Sequence, residues 1–505
     1  MKTAPARIWL LFLLFLLALY IVGCGNVTSG GGGGGGGAGI THYVSTAGSD
    51  TNEGTYASPW RTLQKACNSA EAGSTVYLLA GVYNEKVSVN VSGEAGNYIT
   101  FQNNGTDVVT IDGSSILGAD PIITLVNVHY IKLVGLWITN NITNDAKGVL
   151  IRNGSHHIEI RDCKISNINF SASDPVTSST NANPLLIWGD NAANSTNNII
   201  IDGNEVFNCR TGYSEGLTTN GNVTDFRITN NTIHDIRNIG IDMAGHYGVC
   251  SNASLDQSRY GTCEGNTIYD CTSEVADAAG IYVDGGRDIV IARNKVYQCQ
   301  WGIEVGCEVS NETASSVKVR DNLIFNNSNS GIVFGGYDYP ANSGKVINCE
   351  FLNNTCFNND TGNHTGGEMN VSYTEICTVE NNIFYATSQN ILFTKQNDSS
   401  TGNRFNYNLY YAIAGPGSVT VNYNGTGYSP FSAYQAGATQ DAASLFGGPS
   451  FESISLSAPD LRIKSTSPAI DRGDPSFEAA AGELDYGGNP RVNGGRVDIG
   501  AYEYY

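Results

Sequence analysis

The chain has 505 residues, a formal net charge of −20 and 41% hydrophobic residues. That balance describes a folded, acidic protein and argues against a nucleic-acid partner, whose phosphates require Lys and Arg. About 465 residues follow the N-terminal tract, more than one ordinary core holds. Either two domains share them or the fold grows in one dimension, as a solenoid does.

Residues 1–24 set the expected address. Lys2 and Arg7 precede an apolar run from Ile8 to Val22, which is too short to span a bilayer and has the length of a signal-peptide core. The run ends in Ile21-Val22-Gly23-Cys24, which resembles the bacterial lipobox. The resemblance implies that Cys24 is lipidated and that the mature protein is anchored in the cell envelope, periplasmic or at the cell surface. Residues 25–40 contain the unbroken run Gly30 to Gly37, which forms no packed core and serves as a flexible tether.

Residues 41–400 carry a repeat. Its mark is an Asn followed by a β-rich stretch: Asn204-Glu-Val-Phe-Asn-Cys209, Asn231-Thr-Ile-His-Asp-Ile236, Asn266-Thr-Ile-Tyr-Asp-Cys271 and Asn294-Lys-Val-Tyr-Gln-Cys299. It continues at Asn322, Asn354 and Asn382, with intervals of 27 to 35 residues. Short alternating strands with polar turns favour an all-β chain, and neither the recurrent Leu of leucine-rich repeats nor the longer unit of a propeller is present. Asn at one turn lets stacked amides bond along the axis and tolerates left-handed backbone. The chain has 12 Cys, Cys24 among them. Cys250 and Cys263 bracket a loop and could be joined, whereas Cys209, Cys271 and Cys299 read as readily as a buried stack. No spacing suggests zinc.

A second mark is a strand of the form Gly-Ile-x-Val-x. It reads Gly148-Val-Leu-Ile-Arg152, Pro184-Leu-Leu-Ile-Trp188, Gly216-Leu-Thr-Thr-Asn220, Gly240-Ile-Asp-Met-Ala244, Gly280-Ile-Tyr-Val-Asp284, Gly302-Ile-Glu-Val-Gly306, Gly331-Ile-Val-Phe-Gly335 and Glu368-Met-Asn-Val-Ser372. The second and fourth residues point inward, so the third and fifth face solvent.

With these repeats the exported part resembles the right-handed parallel β-helix proteins of the pectate-lyase-like group. Tyr43 to Asp50, Pro59 to Lys65 and Gly73 to Gly81 resemble their opening segments, and Ser467-Pro-Ala-Ile-Asp471 with Asp498 to Glu503 resembles a closing tail. The resemblance implies a right-handed parallel β-helix solenoid with a short N-terminal capping helix over Trp60 to Ala70. Residues 401–505 then form the C-terminal end of the coil and an irregular tail that closes it against edge pairing. It is specific for fold and weak for chemistry, because such proteins include lyases, hydrolases, epimerases and adhesins.

The outward positions give the chemistry. Asp242, Asp284 and Glu304 fall on successive coils with Tyr282 among them. Glu215 stands just before one strand, His246, Tyr247 and Glu308 just beyond others, and Asp338 and Glu368 at the far edge of the patch. Trp188 could stack on a sugar ring. Coils about 4.8 Å apart and strand neighbours about 6.6 Å apart place Asp284 and Glu304 roughly 8 Å apart, and Asp242 and Glu304 roughly 10 Å apart. Such spacing suits two-carboxylate glycoside hydrolysis, with one carboxyl kept protonated.

Glu304 and Asp284 are therefore the expected acid/base pair, with Asp242 assisting. Tyr282, His246, Trp188, Tyr247, Glu308, Asp338 and Glu368 are the expected substrate contacts, and no residue is assigned to a metal. The function expected is polysaccharide binding and cleavage by a monomer. Two alternatives stand: a uronate lyase using Ca²⁺, which these carboxylates could hold, and a non-catalytic carbohydrate-binding or adhesive solenoid. Against the lyase, the central outward positions carry no Lys or Arg; Arg152 and Lys395 lie at the ends, and Arg287 follows Asp284 in a turn. The His156-His157 pair reads as a turn.

Overall fold

The computed structural model describes residues 40–505. The segments expected to be a signal peptide and tether, with Cys24, lie in residues 1–39, outside the described residues. Strands with apolar residues at every second position cannot bury that face alone, and the chain solves this by coiling. Each full turn adds one strand to each of three parallel sheets, which makes a right-handed parallel β-helix. Among the described residues, no helix is long and apolar enough to cross a membrane.

Register is held by the inward columns. In the second sheet Leu185, Leu217, Ile241, Ile281, Ile303, Ile332 and Met369 stack coil upon coil, and every one is fully buried. A slip by one residue would turn the outward carboxylates into this core.

The Asn ladder runs from Asn204 through Asn231, Asn266, Asn294, Asn322, Asn354 and Asn382 to Asn408. At each step the backbone N–H and the side-chain amide of one Asn both donate to Oδ1 of the next. For Asn294 these distances to Asn322 are 2.9 and 3.0 Å. The left-handed turn residue is not the ladder Asn but its predecessor, as at Gly203 (φ 70°), Asn230 (56°), Gly265 (69°), Arg293 (54°) and Asn353 (54°). The fifth motif position is left-handed as well, at Asn208, Asp235, Asp270 and Gln298. The ladder amide is thus free to point inward while its neighbours make the bends.

Cys209, Cys271 and Cys299 are buried and free, as are Cys250 and Cys263. The suggested pairing of Cys250 with Cys263 is therefore not made; Cys263 faces the core, where Asn266 Nδ2 donates to its sulfur at 3.4 Å. Among the described residues, no group of three or more His, Cys, Asp or Glu is arranged to hold a metal ion.

The capping helix spans Leu63–Ser69, shorter than the predicted Trp60 to Ala70. Thr62 caps it, accepting from Lys65 N–H at 3.1 Å, and Glu85 accepts from Leu63 and Gln64 N–H at 2.9 and 3.0 Å. At the other end, coil strands continue past residue 400 to Thr420–Tyr423 and Leu445–Phe446. The helix Phe431–Ala438 lays Phe431 and Tyr434 against the last core residues. Residues beyond 450 do something the sequence did not suggest. They fold back along the outer face of the third sheet, where Phe451, Leu461, Ile463, Ile499 and Ala501 form a second core with Phe325, Phe357, Tyr385 and Leu409.

Candidate functional site

The outward face of the second sheet forms the floor of a cleft of about 740 Å³. Its outward column runs Leu150, Leu186, Thr218, Asp242, Tyr282, Glu304, Val333, Asn370. Beside it runs Arg152, Trp188, Asn220, Ala244, and further along the axis Asp284, Gly306, Gly335, Ser372. Connections into the sheet supply one wall, with Tyr213, Glu215 and Asp277, and the connections leaving it supply Tyr247 and Glu308.

The carboxylates gather at one end. Asp284 is 3% exposed. One of its oxygens accepts from the Glu308 backbone N–H at 2.7 Å, and the other accepts from the Tyr247 hydroxyl. That hydroxyl also lies 3.3 Å from the Glu308 carboxylate. Burial, then the charge of Glu308, push the Asp284 carboxyl up to about 7 against the pull of those hydrogen bonds.

Asp242 is 6% exposed, and its Oδ1 has no hydrogen-bond partner. Burial first, and then the charges of Glu215 and Asp284, hold Asp242 well above the usual carboxylate range. Glu215 accepts from the Thr218 hydroxyl at 2.8 Å; burial raises it to about 7, with Glu308 adding to the rise and Thr218 opposing it. Asp242 and Asp284 stand one coil and two residues apart, roughly 8 Å by sheet spacings. The arrangement offers one buried carboxyl whose surroundings favour its protonated form and a second carboxyl oriented by hydrogen bonds toward the same space.

The structure brings Asp242, Asp284, Tyr282, Tyr247, Glu308 and Trp188 together in the cleft lining, and leaves four predicted residues out of it. Glu304 projects from the same column one coil beyond Tyr282 but does not line the cleft; burial, Glu308 and Asp284 raise its carboxyl well above the usual range. His246 turns sideways, its ring nitrogens facing the Thr313 carbonyl at 3.2 Å and Glu312 at 3.4 Å. Asp338 lies in the following loop, bound to Asn342 and to Ser343, whose hydroxyl accepts its N–H at 3.0 Å.

Glu368 is fully buried rather than solvent-facing. It ends a second amide ladder: Asn359 donates to it from its backbone at 2.9 Å and its side chain at 2.7 Å, and Gln389 donates at 2.7 Å. It is a structural acceptor, which corrects its reading as a substrate contact. Of the rival lyase cations, Arg287 pairs with Asp288 and stacks on Tyr260. Lys395 is buried against Asp398 at 2.9 Å. Lys147 and Arg152 do line the cleft, at the end away from the acids.

Glu215, placed beside the patch from the sequence but given no role there, and Asp277, which the sequence did not single out, belong to the site. The signal for Glu215 was its place immediately before the strand that carries Thr218. Asp277 sits in a connection with no repeat to mark it.

Two family models match the chain: "Pel9A-like, right handed beta helix region" over residues 42–196 and "Right handed beta helix region" over residues 250–355. The uncharacterized protein YwoF of Bacillus subtilis (strain 168) is 33% identical over 424 residues, spanning 81% of this chain and 88% of that protein. Among solved structures, a lacto-N-biosidase from Eubacterium ramulus is 14% identical, covering 81% of this chain and 67% of that one at a TM-score of 0.48. Pectate lyase Pel9A is 13% identical, covering 92% and 96% at 0.44.

Proposed function

This chain belongs to the family of right-handed parallel β-helix proteins that includes Bacillus subtilis YwoF, and we propose that its cleft binds a polysaccharide and hydrolyses a glycosidic bond. The observation that carries this reading is the pair Asp242 and Asp284. Two carboxyls share one cleft in unlike surroundings: Asp284 is held by hydrogen bonds that favour its charge, and Asp242 has an unpartnered oxygen. Unlike surroundings are how acid and base roles are divided between like groups.

In this reading Asp242 is the general acid. It is buried, its Oδ1 lacks a partner, and burial with the neighbouring acids favours the protonated form that gives its proton to the leaving oxygen. Asp284, fixed by Tyr247 and by the Glu308 N–H, is the general base that takes a proton from water. A separation of roughly 8 Å leaves room for that water and implies inversion at the anomeric carbon. Glu215 adds negative charge that keeps the Asp242 proton in place. Trp188 and Leu186 offer apolar surface to a sugar face two coils away.

We further place the protein in the cell envelope, held by lipid at Cys24. The experiment is a screen against a polysaccharide panel, reading new reducing ends together with the ultraviolet absorbance of unsaturated uronates. Reducing ends without absorbance are expected. Both together would replace hydrolysis by elimination, and neither, with binding retained, would leave a carbohydrate-binding solenoid.

A further inference from the structure

We infer that the cleft is blind at its C-terminal end, so that a polysaccharide enters by a chain end and is trimmed from it rather than cut internally. The inference rests on the hydrolytic reading above and adds the mode of attack to it.

The two sides of the acid pair differ. Toward the N-terminal coils the floor is continuous from Asp242 through Thr218 and Leu186 to Leu150, flanked by Trp188 and Arg152. From the coil of Asp284 to that of Arg152 there are four coil steps, about 19 Å of groove. This stretch is suited to hold a chain of sugars along the helix axis.

Toward the C-terminal coils the groove is barred just past the acid pair, and the floor beyond the bar, at Glu304, Val333 and Asn370, is again partly exposed. Tyr282 faces outward by register yet is 4% exposed. A Cβ placed on Gly306 would meet the Tyr282 hydroxyl at 2.9 Å and its ring at 3.2 Å. Gly306 is the neighbour of Asp284 on the next coil, so the ring occupies the space just past the base. The Tyr247 hydroxyl ties Asp284 to Glu308 over the same place, and Glu304 beyond it does not line the cleft. A chain with both its ends outside the cleft would have to pass through Tyr282 or over this bar.

The test uses the full-length, detergent-solubilised protein on a polysaccharide that the panel shows to be cleaved. Viscosity is followed against reducing ends, with chromatography of the products. A nearly constant viscosity and one short product from the earliest times are expected. An early collapse of viscosity with a ladder of products would overturn the blind-end inference and leave hydrolysis standing. No reducing ends on any polysaccharide would overturn both.

Tyr282→Ala should open the end and raise the viscosity lost per bond cleaved several-fold. Should that variant not fold, Trp188→Ala at the other end decides. It should raise KM for long chains by roughly fivefold with kcat kept, and leave the shortest cleavable oligosaccharide unaffected. An equal effect on every chain length would contradict a one-sided run of sugar contacts.

Discussion

Asn294→Ala is the sharpest test of the scaffold. Asn294 Oδ1 accepts both the backbone N–H and the side-chain amide of Asn266, each at 2.9 Å. Asn294 Nδ2 donates to the Cys263 carbonyl at 2.9 Å and to Asn322 Oδ1 at 3.0 Å. Removing the amide leaves two Asn266 hydrogens without their acceptor in a fully buried turn. Asn322 keeps the N–H of residue 294. At about 1–3 kcal/mol for each buried group left unpaired, the loss comes to about 2–6 kcal/mol.

The assay is urea denaturation followed by circular dichroism, with amide exchange around residues 263–322 to catch local opening, since a solenoid need not unfold as one unit. Val82→Thr, at a position 52% exposed, is the control. A midpoint for Asn294→Ala that converts to less than about 0.5 kcal/mol, the range of ordinary surface changes, would refute the ladder as a source of stability.

Cys24→Ala should release the protein from the membrane fraction or leave it unprocessed; membrane retention with a mature-sized band would count against the lipid anchor. Asp284 and Glu215 lie at about 7 in the folded chain, against about 4 in an unfolded one. The folded state therefore binds more protons between those values, and stability falls as pH rises through that window and stays low above it. Melts near pH 5 and pH 8 should show Glu215→Gln and Asp284→Asn gaining more relative to the parent at the higher pH; an equal shift at both would contradict the buried-charge account. Glu304→Gln should keep most of the turnover, because Glu304 lies outside the cleft lining; its loss would return Glu304 to the mechanism.

Much of the fold was legible because both of its repeats are physical necessities. Inward Ile241, Ile281 and Ile303 had to stack, and that alone sends Asp242, Tyr282 and Glu304 outward in one column. The buried Asn ladder followed from the repeat, although the left-handed residues proved to be its neighbours. What alternation cannot give is the direction of a side chain along the axis. Tyr282 leans over Gly306, which no spacing announces. Glu368 matched the strand pattern but was drawn inward by Asn359, which needed an acceptor at the end of its ladder. Glu215 and Asp277 come from connections of irregular length, where no period marks a residue. The return of residues beyond 450 onto the third sheet depends on apolar positions scattered through a tail without a repeat.

Hydrolysis in this cleft turns on Asp242, and the most direct measurement compares Asp242→Asn with the parent on a polysaccharide the parent hydrolyses. The carboxamide has the shape of the protonated acid but no proton to give. Turnover should fall about 10²–10⁴-fold while substrate affinity and melting temperature are kept. Turnover within a few-fold of the parent, in a variant that folds and binds, would contradict the assignment of Asp242 as the acid and the two-carboxyl mechanism with it.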